Sequence, residues 1–420
     1  MSDLLAARSQ MAVSLAFHII FAVIGIAMPV LMVLAERRWL RTRDPLYLDL
    51  AKRWARGTAI LFAVGAVSGT VLSFELGLLW PRFMELAGPI IGMPFSLEGF
   101  AFFTEAIFLG VYLYGWEKVS PRAHVLAGVL VAVSGAASGI FVVIANAWMN
   151  TPTGFTLVDG RFAAIDPIAA MGTPAAFPQA LHMTLAAYAA TGLGVAGIHA
   201  FLLLKKRNSD FNRAALTIGL LVGAPAAVLQ PFAGDVAARY VARRQPVKLA
   251  AMEALYETRA GAPLKFGPGI EIPNGLSLLA FRDPHAVVQG LDAVPHDEWP
   301  KVRLVHLSFD VMIVLGTYMA VVGLWAGWLL WRRRDLSVRR RFLWAVAIAG
   351  PCGFIATEAG WMVTELGRQP WVIFGVLKTA DAVTPMPGLI VPFTAITLLY
   401  GALAVIVGIL LHRQIIRSQA

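Results

Sequence analysis

The sequence predicts an all-α integral membrane protein with nine transmembrane helices, its N-terminus outside and its C-terminus inside. Of its 420 residues, 58% are hydrophobic and only 14% are charged, whereas a soluble domain carries about 25% charged residues. The mean hydropathy is +0.70. Apolar segments long enough to cross a bilayer, at about 20 residues each, recur along the whole chain.

The nine predicted spans cover residues 12–35, 57–80, 96–116, 124–148, 180–204, 214–234, 304–331, 342–364 and 386–411. No internal repeat is evident, so residues 1–420 are predicted to form a single membrane domain. Two connections are long. Residues 149–179 are Pro-rich and irregular, and residues 235–303 contain a predicted helix over 248–257. A connection as long as the second is usually functional or disordered, and its helical core favours a function.

The basic residues predict the orientation. Most of the 35 lysines and arginines lie in five short segments on one side of the predicted membrane. On the other side most of them lie in the long connection 235–303, which the positive-inside rule discounts. The short basic segments are therefore cytoplasmic, and this topology explains the net charge of +10 without a nucleic-acid partner. The single cysteine, Cys352, excludes an intrachain disulfide and a cysteine-ligated cluster.

Ionisable side chains lie at membrane depth in the eighth predicted span. Glu358, Trp361 and Glu365 are spaced at i, i+3 and i+7, so they share one helix face. The span then ends at a glycine and a proline that flank Arg368. A charged residue at the centre of a membrane helix costs about 2.5–3.5 kcal/mol and is usually functional. This helix end therefore predicts a cofactor or proton site.

Three further side chains in the spans are candidate metal ligands. His18 lies in an apolar run with no adjacent charge, where a neutral imidazole is suited to bind a metal or haem. His182 begins the fifth span, and Met312 lies at a similar depth in the seventh. A methionine there is most often plain packing, but a His/Met pair is also a known haem ligation that raises the reduction potential. Spacing alone leaves both interpretations open.

Two carboxylates are stacked in the third span. Glu98 and Glu105 are seven residues apart, so they point the same way and lie about 10 Å apart by helix rise. This arrangement indicates a proton relay. Salt bridges to neighbouring helices are a weaker interpretation, because few basic residues lie inside the spans.

Two other functions depend on similar membrane residues. The membrane carboxylates are compatible with a proton-coupled transporter without haem, although such folds often show inverted repeats. A haem–copper oxidase is rejected, because its chemistry needs a cluster of membrane histidines on neighbouring helices that this chain lacks.

Four motifs produce a resemblance to a known family. They are Glu365 with Gly367-Arg368-Gln369-Pro370-Trp371, Leu97-Glu98-Gly99-Phe100 with Glu105, Ala145-Asn146-Ala147-Trp148-Met149, and Lys248-Leu249-Ala250-Ala251-Met252-Glu253. Along essentially its whole length the chain resembles the haem-bearing subunit I of cytochrome bd-type quinol oxidases. Its connection 235–303 is shorter than that of the long-loop members, which resembles the short quinol-loop, cyanide-insensitive-like branch. One departure is Asp310, where some members carry a basic residue.

The resemblance implies three haems and four iron ligands. His18 resembles the ligand of one high-spin haem, and Glu365 resembles the ligand of the neighbouring high-spin haem b. His182 and Met312 resemble the two ligands of the low-spin haem b. The haem at the oxygen-reducing site is then haem d, or a further haem b in its place.

The resemblance also implies the roles of other residues. Glu98 and Glu105 resemble the acidic pair that delivers protons or contacts the oxygen-reducing haem, and the haem pair lies beside Trp361 and Arg368. Lys248 and Glu253 resemble the quinol-binding residues, so 235–303 is an outer-side quinol-binding loop.

The implied activity is that of a quinol:oxygen oxidoreductase. Quinol is oxidised at the outer face, and O2 is reduced to water with protons from the cytoplasm. The implied partners are subunit II, a small single-helix subunit, quinol, O2 and membrane lipid, and the implied location is a bacterial cytoplasmic (inner) membrane, which the chain crosses many times.

Overall fold

The computed structural model describes residues 1–205, 209–266 and 270–415. Within these residues nine helices are long and apolar enough to cross a membrane, which confirms the predicted all-α membrane fold. They are α1 (Asp3–Thr42), α2 (Pro45–Leu79), α3 (Pro81–Tyr114), α4 (Pro121–Asn150), α6 (Ala176–Leu204), α7 (Asp210–Arg244), α10 (Val302–Trp331), α11 (Arg340–Gly367) and α13 (Ile390–Ile415).

Short elements fill the connections. The short helices are α5 (Pro167–Met171), α8 (Pro246–Met252), α9 (Gly275–Phe281) and α12 (Thr379–Ala382). The short strands pair as antiparallel ribbons: β1 (Thr156–Val158) with β2 (Arg161–Ala163), β3 (Arg259–Ala260) with β6 (Val287–Val288), β4 (Leu264–Phe266) with β5 (Ile270–Ile272), and β7 (Trp371–Ile373) with β8 (Leu377–Lys378).

Helix starts follow from local sequence. A proline occupies the first position of α2, α3 and α4, where its missing N–H has no intrahelical partner to lose. The Asp44 side chain accepts a hydrogen bond of 2.9 Å from the amide of Leu46 and so caps α2. Because few residues separate α1 from α2 and α2 from α3, consecutive helices run antiparallel.

Several helices extend beyond the spans predicted for them, and α2 begins at Pro45 where its span was predicted from residue 57. The third span was predicted from residue 96, but α3 begins at Pro81 and continues through Pro89 and Pro94. Prolines break helices in water, whereas in membrane proteins neighbouring helices re-satisfy the freed backbone groups. The sixth span was predicted to end at residue 234, but α7 continues to Arg244. The first part of the predicted connection 235–303 is therefore helical.

Four helices, α6, α7, α10 and α11, pack around one apolar core that includes Leu193, Leu216 and Phe342. The backbones of α6 and α7 approach closely at Gly192 and Gly223, where an added Cβ on Gly192 would lie 2.4 Å from the Gly223 nitrogen. Small residues of this kind let membrane helices pack without side chains between them. A second core lies among α1, α2, α3, α4 and α7.

The connection between α7 and α10 is compact. Its apolar side chains pack on Val305 of α10 and Val363 of α11, so it lies on the ends of the four-helix group. The helix predicted over 248–257 is shorter than expected, because α8 ends at Met252 and Ala254 has a φ of 47°. A left-handed residue cannot continue a right-handed helix. Glu253 therefore lies at the helix end and not within the helix.

Candidate functional site

His18 lies on α1 and faces α2. Its Nδ1 is 3.0 Å from the hydroxyl of Ser68, and that hydroxyl donates its own proton to the carbonyl of Val64. Ser68 must therefore accept from Nδ1–H, which leaves Nε2 as the unprotonated nitrogen that can bind a metal. A Cβ at Gly69 would lie 3.0 Å from the ring, so this glycine makes room for the imidazole.

His182 lies on α6 against α7. The side-chain amide nitrogen of Gln230 lies 3.2 and 3.3 Å from the two ring nitrogens and donates to the His182 carbonyl at 3.1 Å. A Cβ at Gly234 would lie 3.5 Å from the ring. Gln230 and Gly234 are one helical turn apart, so one face of α7 holds the imidazole in place.

Met312 lies on α10 and its thioether faces α11. A Cβ at Gly360 would lie only 3.1 Å from the Met312 sulfur, so the sulfur rests directly on the α11 backbone. His182 and Met312 therefore both lie in the four-helix group. Trp361, which follows Gly360 on α11, packs against an apolar cluster that includes Ile19, the neighbour of His18.

Glu365 is held by two side chains near the end of α11. Its carboxylate accepts from the side-chain amide of Asn146 on α4 and from the Arg368 guanidinium at 2.5 Å. Arg368 is buried, and its Nε and Nη1 have no hydrogen-bond partner among the described residues. Buried polar groups are nearly always paired, so these two donors face the place of an acceptor.

Glu98 and Glu105 both face α4, as their spacing predicts. Ser138 donates to Glu98 at 3.1 Å. The Glu105 carboxylate packs directly against Gly135 of α4, because a Cβ on that glycine would lie 3.2 Å from it. Glu358 has one buried carboxylate oxygen without a hydrogen-bond partner in the described part of the chain. Three membrane carboxylates are thus oriented inward without an ion-pair partner among the described residues.

Glu75 on α2 belongs to the same polar interior. It accepts from Gln10 at 2.9 Å and from Ser14 at 2.8 Å, and Ser14 lies one helical turn before His18. Glu75 also lies seven residues after Ser68, so both α2 side chains face the polar edge of α1. This spacing is visible in the sequence, and it could have placed Glu75 beside His18.

Lys248 and Glu253 belong to the connection above the four-helix group but have different neighbours. Lys248 donates to Asn150 at the end of α4, and burial together with the nearby Arg368 charge lowers the pKa of Lys248 to about 7. Burial, and then the charge of Asp310, raise the pKa of Glu253 to about 8. Among the described residues no hydrogen bond joins Lys248 to Glu253, because five residues of helix turn the two side chains well apart.

Glu253 lies near a second pair that sequence reasoning did not include. The His306 Nδ1 donates to the carbonyl of Met252 at 2.6 Å, and its Nε2 is 3.7 Å from the carboxylate of Asp310. The spacing of His306 and Asp310, four residues apart on one helix face, is the signal that could have found them.

In the part of the chain that the structure describes, nine membrane-length helices enclose imidazole, thioether and carboxylate groups, and this places the chain in the class of polytopic membrane proteins. Within that class the chain belongs to the family of cytochrome bd terminal oxidase subunit I, whose family model matches residues 6–419. It is similar to the bd oxidase from Geobacillus thermodenitrificans, with a TM-score of 0.92 and 37% identity over 99% of each chain.

Three curated relatives agree. The chain is 36% identical to the "Putative cytochrome bd menaquinol oxidase subunit I" of Bacillus subtilis, over 98% of this chain and 96% of the relative. It is 32% identical to the "Cytochrome bd ubiquinol oxidase subunit 1" of the same organism, over 92% and 87%. It is 26% identical to the "Cytochrome bd-II ubiquinol oxidase subunit 1" of Escherichia coli, over 89% and 88%.

Membership of this family establishes several of the predictions. The chain is the subunit I of a quinol oxidase, works with a subunit II, uses haem cofactors and crosses the bacterial inner membrane many times. This excludes the alternative of a transporter without haem. The chain's own residues fit haem: His18 keeps a free nitrogen, and Arg368 has two buried donors suited to the carboxylates of a porphyrin.

Proposed function

We propose that this chain takes electrons from quinol at the outer face and delivers them to O2 inside the membrane, with protons from the cytoplasm forming water. The observation that carries the proposal is the His18–Ser68 hydrogen bond, which fixes the imidazole with an open Nε2 at membrane depth. When bound, the haems transfer single electrons from quinol to O2. Oxygen consumption by the purified complex, measured with ubiquinol and with menaquinol, tests the activity, and its absence with both quinols would contradict it.

The proposed ligand set uses four side chains. His18 holds one high-spin haem and Glu365 the other, and His182 with Met312 holds the low-spin haem b. The oxygen-reducing site contains haem d or a further haem b. Support comes from the surroundings of three of these ligands, since Gly69, Gly234 and Gly360 leave space beside His18, His182 and Met312 where a larger side chain would displace them.

The proposed quinol site lies in the loop 235–303 of the single membrane domain, as in the short-loop, cyanide-insensitive-like branch. Quinol oxidation releases protons, so a base is needed as the electrons leave. Glu253 supplies it, because a buried carboxyl with a pKa of about 8 exchanges a proton near neutral pH. Lys248 binds a quinol oxygen. The two residues face different sides of the loop, so they act on different parts of the quinol.

The proposed proton line consists of Glu105 and Glu98, which face α4 one above the other. With the N-terminus outside and the C-terminus inside, Glu105 is the nearer of the two to the cytoplasm, so it receives the proton first. Trp361 and Arg368 border the high-spin haems. Subunit II and a small single-helix subunit complete the assembly.

Replacing Glu253 with glutamine should lower the rate of quinol oxidation by about 10²-fold, because the general base is lost. Glu253 is a carboxylate only above its raised pKa of about 8, so the wild-type rate should rise as the pH approaches that value. The variant should lose this rise. Steady-state oxygen consumption against pH measures both. Glu257→Gln, an exposed residue of the same loop, is the control and should keep the wild-type profile.

Replacing Gly360 with alanine should disturb the low-spin haem. The new Cβ would lie 3.1 Å from the Met312 sulfur and push it off the α11 backbone. We expect a changed low-spin absorption band and a lower reduction potential, measured by redox titration. Gly316→Ala on α10 is the matched control, because its Cβ meets nothing within 4 Å. An unchanged band in Gly360→Ala would argue against Met312 as a ligand.

A further inference from the structure

A series of hydrogen bonds joins the quinol loop to the end of α11. The Lys248 ammonium donates to the side-chain oxygen of Asn150. The Asn150 amide nitrogen donates to the side-chain oxygen of Asn146 at 3.1 Å, and also to the Asn146 backbone carbonyl at 2.9 Å. The Asn146 amide nitrogen then donates to Glu365. Three consecutive side-chain bonds thus connect the proposed quinol-binding lysine to the proposed haem ligand.

All the bonds in this series point the same way. Each asparagine accepts through its oxygen from the lysine side and donates through its nitrogen towards the carboxylate. Hydrogen bonds arranged in series polarise one another in a low-dielectric interior, so a change at one end is felt at the other. The cation at one end and the anion at the other reinforce this polarity.

The series is also enclosed. Asn150 is 0% exposed and Lys248 is 5% exposed. The lysine stem rests on the end of α11, where a Cβ on Gly367 would lie 2.8 Å from its Cγ. Water has little access to replace a bond that is broken here. A ligand that draws the lysine ammonium away therefore removes the hydrogen bond that the Asn150 side-chain oxygen accepts.

Asn150 is not needed to end its helix. It is the last residue of α4, and the helix is closed by the backbone amide of Thr151, which donates to the carbonyls of Ala147 and Trp148. The side-chain amide of Asn150 therefore serves the contact between Lys248 and Asn146. None of the four motifs that carry the family resemblance includes Asn150.

We infer that Asn150 is a positioning residue that couples quinol binding at Lys248 to the haem held by Glu365. This inference rests on the proposed function. When a quinol oxygen draws the lysine ammonium towards itself, donation to Asn150 and along the series weakens, and Glu365 keeps more negative charge. A more negative carboxylate favours ferric iron, so the reduction potential of that haem falls. By linkage, the oxidation state of the haem changes the affinity for quinol by the same factor.

The test uses the complete oxidase and a heptyl hydroxyquinoline N-oxide as a quinol analogue that is not oxidised. In the wild type, the analogue should lower the midpoint potential of the Glu365 haem and shift its absorption band. Asn150→Ala should have normal haem content and no such shift. Asn150→Asp keeps the shape and the acceptor for Lys248 but cannot donate to Asn146, so it should also lose the shift. If Asn150 only filled space, the Asn150→Asp variant would retain the shift.

Gln245→Ala is the matched control. Gln245 is buried three residues before Lys248, and its amide has no hydrogen-bond partner among the described residues, so its removal should leave the shift intact. A shift that survives in Asn150→Asp, or a wild type without any shift, overturns the inference. If the proposed function itself is wrong, Glu365→Gln will leave the haem absorption band unchanged, and this result distinguishes its failure from the failure of the inference.

Discussion

Replacing His182 with alanine should remove the low-spin haem signal and leave both high-spin haems in place. His182 lies on α6 against α7, and an alanine in its place has no atom that can bind iron. Losing an outer-shell partner of a metal already costs about 10–100-fold in affinity or activity, and loss of the ligand itself should exceed that. Reduced-minus-oxidised absorption spectra of the purified complex measure the effect, and quinol-supported oxygen consumption should fall with the signal.

His199→Gln is the control for this experiment. His199 lies on the same helix and is buried, but its Nδ1 is 2.8 Å from the side-chain oxygen of Asn212, so it has a structural partner. This variant should keep the low-spin signal. Survival of the signal in His182→Ala would refute the ligand assignment, and its loss in both variants would indicate a general packing defect.

Replacing Glu365 with glutamine should remove the high-spin haem that it holds and lower the stability of the complex. The glutamine nitrogen cannot accept from Arg368, so a buried guanidinium loses its anion. Breaking a fully buried ion pair costs about 3–5 kcal/mol, and the loss here should be smaller because the Glu365 side chain is 28% exposed. Haem extraction gives the stoichiometry, and thermal unfolding gives the loss of stability.

Glu358→Gln distinguishes a ligand from a carboxylate that merely shares its helix face. Glu358 lies two turns before Glu365 and has no ion-pair partner among the described residues, so its neutral analogue leaves no opposite charge unpaired. We expect full haem content in this variant. Equal haem loss in both variants would mean that the whole face is sensitive to charge, and that Glu365 has no special role at the iron.

The sequence predicted the helices well, because a bilayer requires long apolar segments and leaves few alternatives. It underestimated the length of several helices, including α2, α3 and α7. The added residues of α3 and α7 pack in apolar clusters, with Phe83 and Ala87 in one and Ala242 in another, and a local hydropathy pattern does not show this packing.

The candidate ligands could be found for a similar reason. An imidazole or a carboxylate in an apolar span is costly, so His18 and Glu365 stand out by residue type alone. Their partners could not be found this way. Ser68, Gln230 and Gly360 are ordinary residues in membrane helices, and only the packing of one helix on another brings them against a ligand.

The quinol loop shows the same limit. The helix predicted over 248–257 contains both Lys248 and Glu253, the two quinol-binding residues that the resemblance implies. The structure ends that helix at Met252 and directs Lys248 to Asn150, while Glu253 lies near Asp310. The turn at Ala254 depends on how the loop packs on α10 and α11, which a local pattern does not encode.

The most direct test of the ligand assignment is an iron-resolved structure of the complete oxidase with its subunit II. The account predicts three iron positions in or beside this chain: one bonded to His18 Nε2, one to the Glu365 carboxylate, and one between His182 and the Met312 sulfur. An iron bonded to other side chains, or any one of these four side chains without iron, would contradict it.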